Sequence, residues 1–102
     1  MDLSGIWKVI AISGPWWFRL LLKLLRDKKV IKENAGYNVS YGKKWGEFDV
    51  STACQGFLFF LKYKNGRIKD VVWFVSENKL TGKFYWNGRF IGNFEMVRKE
   101  KV

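Results

Sequence analysis

Apolar residues recur at every second position along much of this chain, most regularly in its last third. Leu80, Gly82 and Phe84 fall on one face of a strand, and Phe90, Gly92, Phe94 and Met96 on one face of the next, because side chains alternate across a strand. A plain two-residue turn at Asn87-Gly88 would set Phe84 opposite Ile91 and put the apolar face of one strand beside Arg89, Asn93 and Glu95 of the other. A three-residue loop with Gly88 left-handed as a bulge pairs Phe84 with Phe90, Gly82 with Gly92 and Leu80 with Phe94. That register turns every large apolar residue inward. It also aligns two glycines, where a sheet bends sharply. A strongly curved antiparallel sheet predicts a closed barrel.

The remaining pattern fits that expectation. Residues 3–12 read as a first strand with Leu3, Gly5, Trp7 and Val9 on one side. Ser13-Gly14-Pro15 stops it and opens a helix over about residues 15–27. Residues 29–32, 36–41 and 44–52 read as three further strands, with a turn at Gly42-Lys43-Lys44. Residues 56–64 and 67–76 form a hairpin around Asn65-Gly66, with Phe57, Phe59, Leu61 and Tyr63 on the side of Ile68, Val72 and Phe74. Asp70 is the misfit on that side, and a lysine partner would be a purely structural answer to it. On the other side Leu58, Phe60, Val71 and Trp73 are apolar, which implies that the helix or another chain packs outside. The fold class is mainly β: a small antiparallel up-and-down β-barrel of about seven or eight strands, with one α-helix after the first strand, in a single domain over residues 1–102.

The helix is apolar over an arc wider than a half-exposed helix needs. Arg19, Lys23 and Arg26 make a narrow basic stripe, and Trp17, Phe18, Leu20, Leu21, Leu22, Leu24 and Leu25 fill the rest. The segment is too short to cross a bilayer, which takes about 20 apolar residues. It either packs over the open end of the barrel or serves as a lid whose excess apolar width meets lipid, ligand or a second subunit.

Composition narrows the chemistry. The chain is 19% aromatic and carries a net charge of +10, which favours anionic partners or simply a lysine-rich solvated surface. It has no histidine, which removes the commonest general base and most zinc chemistry. Cys54 is the lone cysteine, and with Ala53 and Phe57 nearby it reads as a buried, inert thiol. Asn38-Val39-Ser40 matches a glycosylation triplet that is common by chance. Residues 1–6 lack a basic region followed by a long apolar core, so the expected location is cytoplasmic. Neither a metal nor a cofactor is predicted.

Leu3-Ser4-Gly5-Ile6-Trp7 resembles the Gly-x-Trp opening of the calycins, the lipocalins and fatty-acid-binding proteins. In that motif glycine lets the strand bend and tryptophan plugs the barrel base. The helical insert after the first strand is similar to the lid of the fatty-acid-binding branch. The resemblance implies that Arg98, near the end of the last strand, covers Trp7 in a cation–π contact. The chain is much shorter than either family, which implies a smaller cavity. Arg98-Lys99-Glu100 also lacks the tyrosine of the fatty-acid-binding Arg-x-Tyr pattern, so carboxylate capture by that pair does not carry over.

Two functions compete. The first is non-catalytic binding of a small hydrophobic or amphipathic molecule, an anionic one included, inside the barrel beneath the helix. Its candidate contacts are Trp17, Leu21, Phe57, Phe59, Phe74, Phe84, Phe94 and Arg98. Against it stands a barrel simply filled by its own phenylalanines. The alternative is a single-stranded nucleic-acid-binding module with a basic, aromatic sheet face, using Lys44, Trp45, Lys83, Tyr85 and Arg89. Arg19, Lys23 and Arg26 would meet an anionic membrane surface, and the broad apolar helix face would suit a homodimer. Catalysis is not expected: Glu47 and Asp49 share a strand face, but solvated acids there are ordinary.

Overall fold

Eight strands, joined in chain order and all antiparallel, close on themselves where β1 meets β8. The computed structural model describes residues 2–25 and 28–101. The elements are β1 (Gly5–Ser13), α1 (Trp16–Leu25), β2 (Lys28–Lys32), β3 (Ala35–Ser40), β4 (Lys43–Ala53), β5 (Leu58–Tyr63), β6 (Ile68–Ser76), β7 (Lys79–Trp86) and β8 (Arg89–Glu100). Arg26 and Asp27, the end of the expected helix, lie outside the described residues. Closure removes both sheet edges, so no strand of this barrel is left to pair with another chain.

The hairpins obey the expected turn chemistry. At Asn65-Gly66 the pairs Phe59 with Val72 and Leu61 with Asp70 are those the alternation predicts. The Asn65 side chain fixes this turn by accepting from the Arg67 and Ile68 amides at 2.8 and 3.3 Å. The β7–β8 hairpin needs a bulge, as expected, but the bulge lies elsewhere. Asn87 and Gly88 both take left-handed backbone (φ 50° and 81°) in a plain two-residue turn that pairs Trp86 with Arg89. The register shift then falls between Phe84 and Tyr85, opposite Ile91. Phe84 therefore faces Gly92, Gly82 faces Phe94 and Leu80 faces Met96, and Phe90 is turned out against Tyr85. The turn keeps the twist that suits the strands, and the extra residue is absorbed one step later. Glycine thus faces an aromatic ring across the hairpin twice.

Two further expectations fail at the β4–β5 connection. Phe57 does not enter β5; it sits 61% exposed in the turn. Cys54 is exposed rather than buried. Both follow from a local hydrogen-bonded turn, in which the Gly56 amide donates to Ala53 C=O and the Phe57 amide to Cys54 C=O, each at 3.1 Å. The chain reverses there with Cys54, Gln55 and Gly56 all at positive φ, so neither side chain reaches the interior.

The base of the barrel is plugged. Trp7 is fully buried, its indole N–H donates to Leu3 C=O at 2.9 Å, and Phe74 meets its ring edge at 6.2 Å. The Arg98 guanidinium lies 4.5 Å from the Trp7 ring centroid, the contact expected from the opening motif. Above this plug, Ile31, Phe48, Leu61, Val72, Leu80 and Met96 fill the middle of the barrel, none of them accessible to solvent. The helix does not cover the outer face of β5 and β6 as one expectation had it; it packs chiefly on β1. Lysine stems cover Phe60 instead, with Lys62 and Lys69 Nζ at 5.9 and 5.5 Å from its ring.

Candidate functional site

At the end away from Trp7 the barrel is hollow. The connection through Gly14 and Pro15 swings α1 back over this mouth, where the Phe18 and Arg19 amides donate to Pro15 C=O. Phe18 is the anchor. It is buried, its ring stacks on Phe84 at 5.1 Å, and it lies so near Gly92 that a β-carbon there would come within 2.9 Å of Phe18 Cε2. At the other end of the helix Tyr41 OH donates to Leu24 C=O. Between the helix and the core is a cavity of about 140 Å³. Trp17, Phe18, Leu21 and Leu22 roof it, Val9, Ile68, Phe84 and Phe94 wall it, and Trp45 and Trp86 also line it.

Lys29, Tyr63 and Asp70 are the polar side chains on that lining. Each points inward by strand alternation: Lys29 two places from Ile31 on β2, Tyr63 two from Leu61 on β5, Asp70 two from Val72 on β6. Lys29 Nζ lies 3.2 Å from Asp70 Oδ2, with both side chains almost wholly buried. It also donates to Asn38 Oδ1 at 2.7 Å and to Tyr63 OH. Asn38 Nδ2 donates to Tyr63 OH at 2.8 Å and to Gly46 C=O at 3.3 Å. Tyr63 OH in turn donates to Asp70 Oδ2 at 3.4 Å. Asp70 Oδ1 is buried with no hydrogen-bond partner among the described residues.

Burial sets the protonation of this group. It raises the Asp70 carboxyl above its ordinary value, opposed by the Lys29 ammonium and the hydrogen bonds from Lys29 and Tyr63. The Tyr63 phenol is pushed up to about 12, first by burial and then by the Asp70 carboxylate. Asn38 has no accessible surface, so the glycosylation triplet is closed to a glycan in the folded protein.

The structure divides the sequence-predicted ligand contacts. Trp17, Leu21, Phe84 and Phe94 come together around the cavity. Phe59, Phe74 and Arg98 belong to the plugged end, where Phe59 packs edge-on against Phe74 at 5.8 Å. Arg98 is spent on Trp7 and on Asp2 C=O at 2.5 Å, and it does not line the cavity. Phe57 is outside. The nucleic-acid candidates also divide. Lys83, Tyr85 and Arg89 are on β7 and β8, whereas Trp45, on β4, lines the cavity and donates to Ser40 Oγ at 2.8 Å. Lys44 covers Tyr37 at 4.4 Å and pairs with Glu47 at 3.3 Å. Glu47 and Asp49 are exposed, which leaves Asp70 as the carboxylate whose position needs an explanation.

Sequence reasoning missed Lys29, Asn38 and Tyr63 as one group. Asp70 carried the signal that led toward them, an acid on an apolar face, and its lysine partner is the structural answer anticipated. These features define a class: a closed eight-stranded up-and-down barrel, solid at one end and hollow under a helix at the other. No family model, curated protein or solved structure matches the chain. Among the described residues, no helix is long and apolar enough to cross a membrane.

Proposed function

We propose that this protein binds a small hydrophobic or amphipathic molecule, without catalysis, in the cavity beneath α1. One observation carries the reading: the barrel interior is tightly filled from Trp7 to Phe48 but leaves about 140 Å³ open under the helix. Empty apolar space of this size forfeits packing energy, and a cavity of about 150 Å³ in another protein holds benzene or xenon. The Gly5-x-Trp7 opening and its Arg98 partner support a calycin-like architecture, in which the helix serves as lid. Leu21 and Trp17 are about half exposed, so the roof is thin enough for a ligand to pass. Native mass spectrometry of protein from its own source, followed by titration with toluene observed by amide chemical shifts, tests the reading. Binding that saturates, moves residues around Phe84 and Phe94, and is lost in Leu21→Glu supports it. A filled-barrel response, with no shift at those residues at toluene saturation, would sink it.

A second reading has its own observation. The outer face near β7 carries Tyr85 and Phe90 edge to face at 5.8 Å, with Lys69 over Tyr85 at 5.4 Å and Lys83 over Phe90 at 5.8 Å. Aromatic rings interleaved with lysines can stack bases and track a single strand. A salt-dependent gel shift with single-stranded DNA, abolished by Phe90→Ala, would favour it over the first. The partner proposals of the helix remain alongside: an anionic membrane surface met by Arg19 and Lys23, and self-association through exposed Trp16, Leu20 and Leu24. Sedimentation with and without anionic vesicles separates these two. Arg26, the third residue of the basic stripe, lies outside the described residues.

A further inference from the structure

Among the described residues, the buried polar side chains that line the cavity leave one hydrogen-bonding atom without a partner, and it is an acceptor. An ammonium has three N–H donors and no acceptor. Lys29 directs its ammonium at Asn38 Oδ1, Tyr63 OH and Asp70 Oδ2. Both N–H groups of Asn38 are used on Tyr63 OH and Gly46 C=O, and the Tyr63 hydroxyl proton is directed at Asp70 Oδ2. What remains is Asp70 Oδ1, buried and unpartnered among the described residues. Lys29 and Asp70 are paired with each other, so an added ion of either sign would be buried without a counter-charge of its own. Arg98, the cation expected to meet an anionic ligand, covers Trp7 and does not line the cavity.

From this hydrogen-bond count we infer that the cavity selects a neutral, ring-sized apolar molecule carrying one O–H or N–H donor, which it gives to Asp70 Oδ1. The inference rests on the ligand-binding reading above and specifies its chemistry. It excludes the anionic ligand that the net charge of +10 suggests. Surface charge is a long-range property, whereas selection inside the barrel follows from the atoms that line it. Phenols, indoles and small aromatic amides are the matching class, and carboxylic acids and amines are the mismatched ones.

Four probes of near-equal size test it: phenol, toluene, benzoate and benzylammonium, titrated into the full chain by NMR. Phenol should bind more tightly than toluene, and neither ion should saturate. In the double variant Lys29→Met/Asp70→Leu, the phenol-to-toluene affinity ratio should fall about tenfold, the worth of one hydrogen bond to a charged acceptor. Toluene should still bind. The Asp70 carboxyl carbon resonance of the unaltered protein should move with phenol and stay fixed with toluene, a readout that does not depend on the variant folding. Equal ratios in the two proteins, or benzoate bound more tightly than phenol, overturns the inference and leaves the cavity reading intact. Failure of all four probes to bind overturns that reading and this inference together.

Discussion

Replacing Lys29 by methionine isolates the energetics of the buried pair. Lys29 Nζ and Asp70 Oδ2 are 3.2 Å apart, with side chains only 5% and 2% exposed. At an effective dielectric of about 20 this separation corresponds to roughly 5 kcal/mol of attraction, set against a desolvation cost of several kcal/mol per ion. The pair as a whole is therefore close to neutral. Removing Lys29 alone cancels the attraction and keeps the burial cost of Asp70, so Lys29→Met should lose about 3–5 kcal/mol, a large share of the roughly 5–15 kcal/mol of a typical domain. Replacing both, in Lys29→Met/Asp70→Leu, should recover most of that loss.

The pH dependence follows from the same pair. Without Lys29, burial raises the Asp70 carboxyl further above 3.8, so the folded state holds the proton more tightly than the unfolded chain. The stability of Lys29→Met relative to the double variant is then greatest below about pH 4 and declines as pH rises through the folded-state value. Urea unfolding followed by far-UV circular dichroism at pH 4 and pH 7 measures both effects. A double variant no more stable than Lys29→Met, or a deficit independent of pH, would show that an unpaired buried Asp70 is not what destabilises the single variant.

Three other perturbations probe the rest of the design. Burial pushes the Tyr63 phenol up from its ordinary 10.0 to about 12, so its contribution is present below pH 10 and lost as pH rises through about 12. That amounts to roughly 3 kcal/mol; Tyr63→Phe should flatten stability across this window, and an unchanged alkaline transition would contradict the assignment. Gly92→Ala puts a methyl against the Ser13 carbonyl oxygen and 2.9 Å from the Phe18 ring, so both β1 and α1 must give; it should cost about 1–3 kcal/mol and change the emission of Trp16 and Trp17. An unaltered emission spectrum and urea midpoint would contradict the close packing of β1 and Phe18 on Gly92. Arg98→Met should lose about 1–2 kcal/mol through the Trp7 contact, and Arg98→Lys should restore only part of it. Full recovery by lysine would show that charge alone, without the planar stack, holds the base.

Much of the fold was legible because strand alternation is a local signal. Trp7 and Val9 on β1, and Phe59 and Leu61 on β5, declare their inward face in a few residues, and Asn65-Gly66 fixes its own register. The Trp7–Arg98 contact was legible from the two chain ends together. What failed was the choice between equivalent turns. A bulge at Gly88 and one at Ile91 both reconcile the β7 and β8 patterns, and backbone twist rather than side-chain polarity decides between them. Phe57 and Cys54 were misplaced because Gly56, next to Phe57 and two residues after Cys54, permits a turn that apolar content alone does not announce. The polar group of the site was half legible. Asp70 interrupts an apolar face, but β2 reads Lys28-Lys29-Val30-Ile31-Lys32, with lysine and an apolar residue on both faces, so its inward lysine cannot be picked by alternation. Asn38 and Tyr63 come from other strands and meet Lys29 only once the barrel closes.

A crystal structure of the protein grown with phenol shows whether the cavity beneath α1 takes a ligand. Ring density is expected in the cavity lined by Trp17, Leu21, Phe84 and Phe94, with the Phe18–Phe84 stack intact, the hydroxyl within hydrogen-bonding distance of Asp70 Oδ1 and the Lys29–Asp70 pair unmoved. A cavity collapsed around its own side chains, with phenol found only on the outer surface, would contradict it.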